Sequence, residues 1–407
     1  MELLAPAGGM EQLRAAIRFG ADAVYLAGPR WGMRARAQNF TDQELVEAVA
    51  YAHERGVKVH LTLNTLMYDS DLDELPEYLR FIEGAGVDAA IVADLGVLGL
   101  VRQHAPHVQV HVSTQTSVTN AASAEAYARM GATRIVLARE LTLAQIAEIK
   151  RRLGDSVELE AFAHGAMCVA VSGRCLLSSA LVGPDRSASC GNCTQPCRWT
   201  WSLVEETRPN QPMPLEADER GSYILSANDL CMLEHVHELE QVGVSSLKIE
   251  GRNKGAYYVA AVTNAYRHVL DGDDPREWLP ELEATSHRPF STGFFFGNPT
   301  QNPGHAEYAR ERTLVAVAQG SSKLPAPDAD VEGERWLTQV VCRNKAVVGD
   351  ELAVLSPGHE VRRFTLGPVE RYTAEEGWQG VPTMSVNMEQ YRFETPFCLE
   401  EGDMLCL

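Results

Sequence analysis

The sequence predicts an α/β protein, a (β/α)8 barrel of the TIM type followed by a small C-terminal antiparallel β-barrel domain. Three observations carry that expectation. Short apolar runs alternate with amphipathic stretches from the first residues onward. The amphipathic stretches end on glycine with a recurring spacing. After about residue 305 the alternation stops and short β-type runs take over. Strict β–α alternation with short apolar strands means a parallel sheet, and eight such units favour closure over an open sheet.

Strand-type runs fall at 2–4, 23–27, 58–63, 89–92, 108–112, 134–137 and 158–163, with an eighth at 246–249. The stretches between them place apolar residues on one helical face, as with Leu13, Ala16 and Ile17, or Leu45, Val49 and Ala52. RFGAD, ERGVK, GAGVD, RMGAT and QVGVS each put a glycine just past a helix, where a left-handed residue ends it. One unit breaks the rhythm: residues 164–229 form an insertion after the seventh strand, and in it 200–205 and 222–226 read as a hairpin around the polar tip 207–221. Long loops after barrel strands serve the catalytic face. The eighth helix is expected at 255–270, so the barrel spans 1–295. Residues 296–305, rich in Pro, Gly and Asn, read as a linker. The β module spans 306–407, with strand-type runs at 313–318, 336–341, 351–355, 363–366, 383–386 and 397–399.

Composition narrows the function. With 407 residues, 45% hydrophobic and 22% charged, the chain can bury a large core. No window approaches a membrane span and the N-terminus carries no signal-type pattern, so the expected compartment is the cytoplasm, with no membrane partner. A net charge of −19 argues against broad, charge-driven nucleic-acid binding and leaves room only for a local basic groove.

The strongest chemical signal is the cysteine distribution. Of nine cysteines, Cys168, Cys175, Cys190, Cys193 and Cys197 crowd the insertion and Cys231 follows, in SANDLCML, at an expected helix N-terminus. An odd count in a cytosolic chain points to metal or catalytic use rather than disulfides. Both places belong to the C-terminal face of a barrel, where the thiols can converge. Four thiolates suit an iron–sulfur cubane; a structural zinc using C-x2-C at 190–193 is the rival. Spacing does not choose four ligands from six candidates.

Other polar residues end the expected strands. His164 closes the seventh, in EAFAHGAMC, pointing at the catalytic face. Lys248 and Glu250 alternate along the eighth, where buried charges need partners, and Arg252 and Lys254 follow at a loop–helix junction suited to a carboxylate or phosphate. An internal salt bridge with surface cations is the plainer reading. Tyr25, Asn64, Asp94, Gln115, Arg139 and Glu140 end further strands and line the same mouth. Arg174, Arg186 and Arg198, with Trp199 and Trp201, make a modest basic patch for RNA; the tryptophans read equally as hairpin core.

LLAPAG, GADAVYLAG, STQTSVTN, EAFAHGAMCVAVSGRCLLS, CTQPCRW, SANDLCML and SLKIEGR occur in order over residues 1–300, and together they resemble peptidase family U32, the collagenase-like peptidases. The resemblance implies an oxygen-independent hydroxylase carrying a 4Fe–4S cluster. In the branch most similar by motif, the implied substrate is tRNA, the product 5-hydroxyuridine at the wobble position and the hydroxyl source prephenate, a small dicarboxylate. It selects Cys168, Cys175, Cys193 and Cys231 as ligands and leaves Cys190 and Cys197 as alternates. His164, Lys248, Glu250 and Arg252 are the expected catalytic residues; Tyr25, Asn64, Gln115, Arg139 and Lys254 the substrate contacts. The family's name keeps a peptidase as the alternative, although H-E-x-x-H and G-x-S-x-G are absent from the chain; Cys168 with His164 is the conceivable dyad. A hydroxylase subunit acting on another substrate, and pairing with itself or a related chain, also stay open.

Overall fold

The computed structural model describes residues 1–33, 38–167, 175, 177–186, 192–196, 199, 202–203, 213–214, 228–297, 311–325 and 334–407. The chain divides into two compact units, Met1–Pro280 with Ser286–Ala309, and Glu281–Thr285 with Arg310–Leu407.

In the first unit, strands and helices alternate: β1 (Glu2–Pro6), α1 (Met10–Arg18), β2 (Ala23–Leu26), α2 (Asp42–His53), β3 (Lys58–Leu63), α3 (Asp69–Gly84), β4 (Ala89–Val92), α4 (Leu95–His104), β5 (Gln109–Val112), α5 (Ala121–Arg129), β6 (Arg134–Val136), α6 (Leu143–Leu153) and β7 (Glu158–Ala166). There follow α7 (Leu177–Val182), two short strands β8 (Ser202–Leu203) and β9 (Met213–Pro214), then β10 (Asp229–Cys231), α8 (Val236–Gln241), β11 (Ser246–Ile249), α9 (Ala256–Asp271), α10 (Pro275–Glu283) and β12 (Phe290–Ser291). β11 pairs in parallel with both β1 and β7, which closes β1–β7 and β11 into the expected eight-stranded parallel barrel. Gly20, Gly56, Gly86, Gly131 and Gly243, the five helix-ending glycines, all have positive φ.

Three local expectations are corrected. The seventh strand runs on to Ala166 because β10 pairs antiparallel with its end. Cys231 lies on β10, not at a helix N-terminus: the backbone there bonds across to Gly165 and Ala166 rather than along a helix. Ser202–Leu203 pairs with Met213–Pro214, inside the expected turn tip, and 222–226 lies outside the described residues. Cys168, Cys190, Cys197, Arg174, Arg198 and Trp201 also lie outside the described residues, as does 298–305 of the expected linker.

The second unit is antiparallel throughout its main sheet. It comprises β13 (Leu314–Lys323), β14 (Trp336–Cys342), β15 (Ala346–Val347), β16 (Glu351–Leu355), β17 (Arg362–Thr365), β18 (Val369–Thr373), β19 (Gly377–Val381), β20 (Thr383–Met384), β21 (Gln390–Thr395) and β22 (Met404–Cys406). Eight of these pair in the order β17-β16-β22-β13-β14-β21-β18-β19 around Val340, Leu352, Val354, Tyr391, Phe393 and Leu405. No strand forms at 397–399. Leu399 N–H donates to the Ser321 hydroxyl instead of a ladder partner. No helix among the described residues is long and apolar enough to cross a membrane.

Candidate functional site

The barrel interior is charged. TIM barrels usually fill this space with branched apolar side chains. Here His60 on β3, His111 on β5 and Glu160 on β7 come from alternate strands, and one ligand atom from each lies within 4.8 Å of the others. Leu4, Ala23, Tyr25 and Ile91 form the adjoining apolar cluster. Glu160, fully buried, accepts from Lys248 Nζ at 2.8 Å and from Arg134 Nη1 at 3.3 Å. Arg134 in turn pairs with Glu2 and Glu158. Burial raises the Glu2 carboxyl, but the hydrogen bond and charge of Arg134 outweigh it and hold Glu2 below its ordinary value. Burial also drives both imidazoles neutral, His60 down to about 3 and His111 well below the usual range. The Lys248 ammonium lies 4.4 Å from the Tyr25 ring centroid and 5.6 Å from that of Phe162. Lys248 therefore belongs to a paired interior column. Glu160, Arg134, His60 and His111 went unremarked in the sequence, although each is a polar residue inside an apolar strand, the signal that singled out Lys248.

Above this column the strand ends converge as expected for a mouth. Tyr25 donates to Ile249 O (2.9 Å) and approaches Glu250 Oε2 (3.4 Å). Arg252, 3% exposed, donates to Thr62 Oγ1 at 3.0 Å. Asn64 Oδ1 accepts from Met33 N (3.1 Å), and Gln115 is tied to Ser113 on the turn after β5. Arg139 donates to Ala166 O (2.9 Å) and stacks on Phe162. Lys254 donates to Ser286 O (2.6 Å). Asp94 caps α4, accepting from Val97 N. Its carboxylate is thus a helix cap.

The end of β7 is irregular. Between Lys248↔Phe162 and Ile249↔His164 the register shifts, so Ala163 is an extra residue on β7. Such a bulge reverses the side-chain alternation beyond it. His164, which would otherwise follow Glu160 and Phe162 towards the axis, packs instead against Tyr258 and Tyr266 of α9 and against Phe290. This corrects the expected aim of His164: its ring faces the helix layer. Gly165 follows with φ +105°, and a Cβ there would stand 2.4 Å from Glu250 O. The backbones thus approach closely where only glycine fits. His164 is 1% exposed and neither ring nitrogen has a hydrogen-bond partner. Burial, then the charges of Lys254 and His287, lowers it to about 3.

Cys231 sits opposite His164 on β10. Its neighbour Asp229 forms a buried ion pair with Arg288, Oδ1 to Nη2 at 2.7 Å. Burial, and then the nearby Cys231, raises the Tyr266 phenol well above its ordinary value. Cys175, Cys193 and Cys231 are half-buried and take part in no disulfide. Cys193 Sγ accepts from Gln195 N at 3.2 Å, a contact made by the left-handed turn at Gln195 (φ 58°). Arg186 donates to Asn192 Oδ1 at 3.1 Å.

Residues 8–304 match the sequence model described as peptidase family U32. An uncharacterized protease of Methanocaldococcus jannaschii is 46% identical over 312 residues, 74% of this chain and 74% of that protein. The tRNA hydroxylation protein P1 of Bacillus subtilis is 36% identical over 373 residues, 89% of this chain and 85% of the relative. A 23S rRNA 5-hydroxycytidine synthase of Escherichia coli is 38% identical over 309 residues, 72% of this chain and 45% of that longer protein.

Proposed function

This chain belongs to peptidase family U32, and from that premise we propose that it is an RNA-modifying hydroxylase. The substrate on this reading is tRNA, the product 5-hydroxyuridine at the wobble position and the hydroxyl source prephenate. Support comes from relatives named for tRNA hydroxylation and for rRNA hydroxycytidine synthesis. The structural observation that carries the reading is the corner at the end of β7, where Cys231 on β10 pairs opposite His164.

The donor chemistry of the described thiols fits an iron–sulfur centre. Cys193 Sγ already receives a backbone N–H, and such bonds support thiolate ligands. Cys168, Cys175, Cys193 and Cys231 would hold a 4Fe–4S cluster, with Cys190 and Cys197 as alternates and zinc as the rival metal. When bound, the cluster supplies one-electron chemistry. Arg252, braced by Thr62, offers a guanidinium to a carboxylate of the small co-substrate. Tyr25 and Glu250 orient polar groups beside it. Lys248 acts from within the column, holding Glu160 rather than touching substrate. A wobble base is single-stranded and can be splayed into such a mouth at low cost. Arg174, Arg186 and Arg198 supply the local positive charge that an otherwise acidic chain needs for RNA.

The peptidase reading rests on the names of the family and of two relatives, an uncharacterized protease and a collagenase. It would need His164 as a base for Cys168. A fully buried, neutral imidazole that faces the helix layer is poorly placed for a peptide.

The test is nucleoside mass spectrometry of tRNA from a strain lacking this gene, complemented with wild type, Arg252→Ala or Cys231→Ala. Wild type alone should restore 5-hydroxyuridine. Unchanged 5-hydroxyuridine in the deletion strain, or cleavage of casein by the metal-free protein, would overturn the proposal.

A further inference from the structure

Of the three polar aromatic side chains His164, Tyr258 and Tyr266 at the corner between β7, β10 and α9, one has no hydrogen-bond partner among the described residues. Tyr266 donates to Ala163 O (2.8 Å) and accepts from Met232 N (3.0 Å). Tyr258 donates to Glu250 O (3.1 Å). Only His164 is left, with both ring nitrogens buried and without partner. A neutral imidazole always carries one N–H, and burying it unsatisfied is costly. An orphan of this kind asks for a partner that no described residue supplies.

The strand register says where that partner lies. His164 and Cys231 are directly opposed in an antiparallel pair. Residues so opposed project from the same face, with Cβ atoms about 4.5–5.5 Å apart. The Ala163 bulge puts His164 on that face, and Tyr258 and Tyr266 flank both side chains. The Asp229–Arg288 ion pair, two residues from Cys231, pins β10 in this register.

We propose that His164 donates a hydrogen bond to a sulfide of the cluster that Cys231 helps to hold, and thereby sets the redox potential of that centre. This rests on the reading of Cys231 as a cluster ligand. His164 is then a positioning and tuning residue, not a general base. Hydrogen bonds to ligand sulfurs favour the reduced, more negative cluster, so losing this one makes the potential more negative.

The experiment uses the full chain purified without oxygen, with iron and acid-labile sulfide measured first. Wild type grown on nitrogen-15-labelled histidine should show a weak nitrogen coupling in pulsed EPR of the reduced cluster. His164→Leu should lose that coupling and shift the midpoint potential negative, and His164→Gln, which keeps an N–H donor, should recover part of the shift. An unchanged potential in His164→Leu, or no histidine coupling in wild type, overturns the hydrogen bond. A strong coupling from a directly bound nitrogen also overturns it, making His164 a ligand. If His164→Leu fails to hold iron, the wild-type coupling and the His164→Gln potential decide. Wild type without iron removes the cluster reading itself, before any variant is measured.

Discussion

His60 and His111 meet edge to face inside the barrel, ring centroids 4.7 Å apart, and burial keeps both neutral. In the unfolded chain each titrates near 6.5. Below that pH and above the folded values, the unfolded state binds more protons, so stability falls as pH falls. Two such groups give a slope approaching ~2.7 kcal/mol per pH unit. Between pH 6 and 5 unfolded carboxylates are still mostly ionised, so the histidines dominate, and His164, also held down to about 3, adds to the slope of these two. Urea unfolding across this window should show at least that slope, and His111→Asn should reduce it by ~1.4 kcal/mol per unit. A flat profile would mean that the rings are charged in the fold. Glu160 offers a second test. Removing it leaves Lys248 and Arg134 buried with an acidic partner gone, so Glu160→Leu should destabilise by about 3–5 kcal/mol. Adding Lys248→Met should recover part of that loss, because a buried pair replaced as a whole by apolar groups is often neutral. Additive losses in the double variant would show that the two side chains do not act as a pair.

Among elements, the end of β7 concentrates the features that sequence periodicity could not reveal. A period-2 reading of EAFAHGA places Glu160, Phe162 and His164 on one face. The register shift at Ala163 breaks that period, and it is specified by what surrounds it: Ala163 O is held by Tyr266 of α9 and by Met232 beyond β10. Those partners lie about 70 to 100 positions away in the chain, beyond any local window. For the same reason Cys231 read as a helix start. Its backbone pairing is non-local, and the helical signal belongs to α8 a few residues on. By contrast, the eight barrel strands and the five helix-ending glycines were legible, because each is encoded in its own segment. Gly165→Ala tests the corner as a unit. Positive φ and a Cβ 2.4 Å from Glu250 O force β7 away from β11. The expected loss is about 2–3 kcal/mol, with faster amide exchange at 229–231 than in wild type. Unchanged stability and exchange would show that the close approach is not required.

At the scale of the molecule, the sequence showed where cysteines crowd without choosing among them. The crowding of cysteines after the seventh strand was plain from spacing, but six candidates for four places remained until the family resemblance ranked them. The C-terminal unit was read as all-β correctly, while β18, β19 and β21 escaped notice because sequences such as VERYT and GWQGV lack apolar continuity. Its cysteines provide the control for the metal assignment. Cys342 and Cys406 are buried in the sheet and Cys398 lies exposed beyond β21. Changing any of these three to alanine should leave iron content at the wild-type level, whereas Cys175→Ala, Cys193→Ala and Cys231→Ala should each remove most of it, as measured by iron and sulfide analysis. Full iron in Cys231→Ala would move the fourth place to Cys190 or Cys197.

The barrel closes only through β11, which must reach both β1 and β7. During synthesis every cysteine of the insertion, and Cys231, precedes that strand. At ~5–20 residues per second, the roughly 80 residues between the end of β7 and β11 take about 4–16 s to emerge. Throughout that interval the nascent sheet has two unsatisfied edges, β1 and β7, and its thiols are made one after another. β10 is available to cover the tip of β7 before β11 arrives, so the thiol-bearing strand also shields an edge that would otherwise invite pairing with a neighbouring chain. Variants that loosen β10, such as Asp229→Asn, should therefore lower the yield of soluble protein during expression more than they lower the stability of molecules that have already closed.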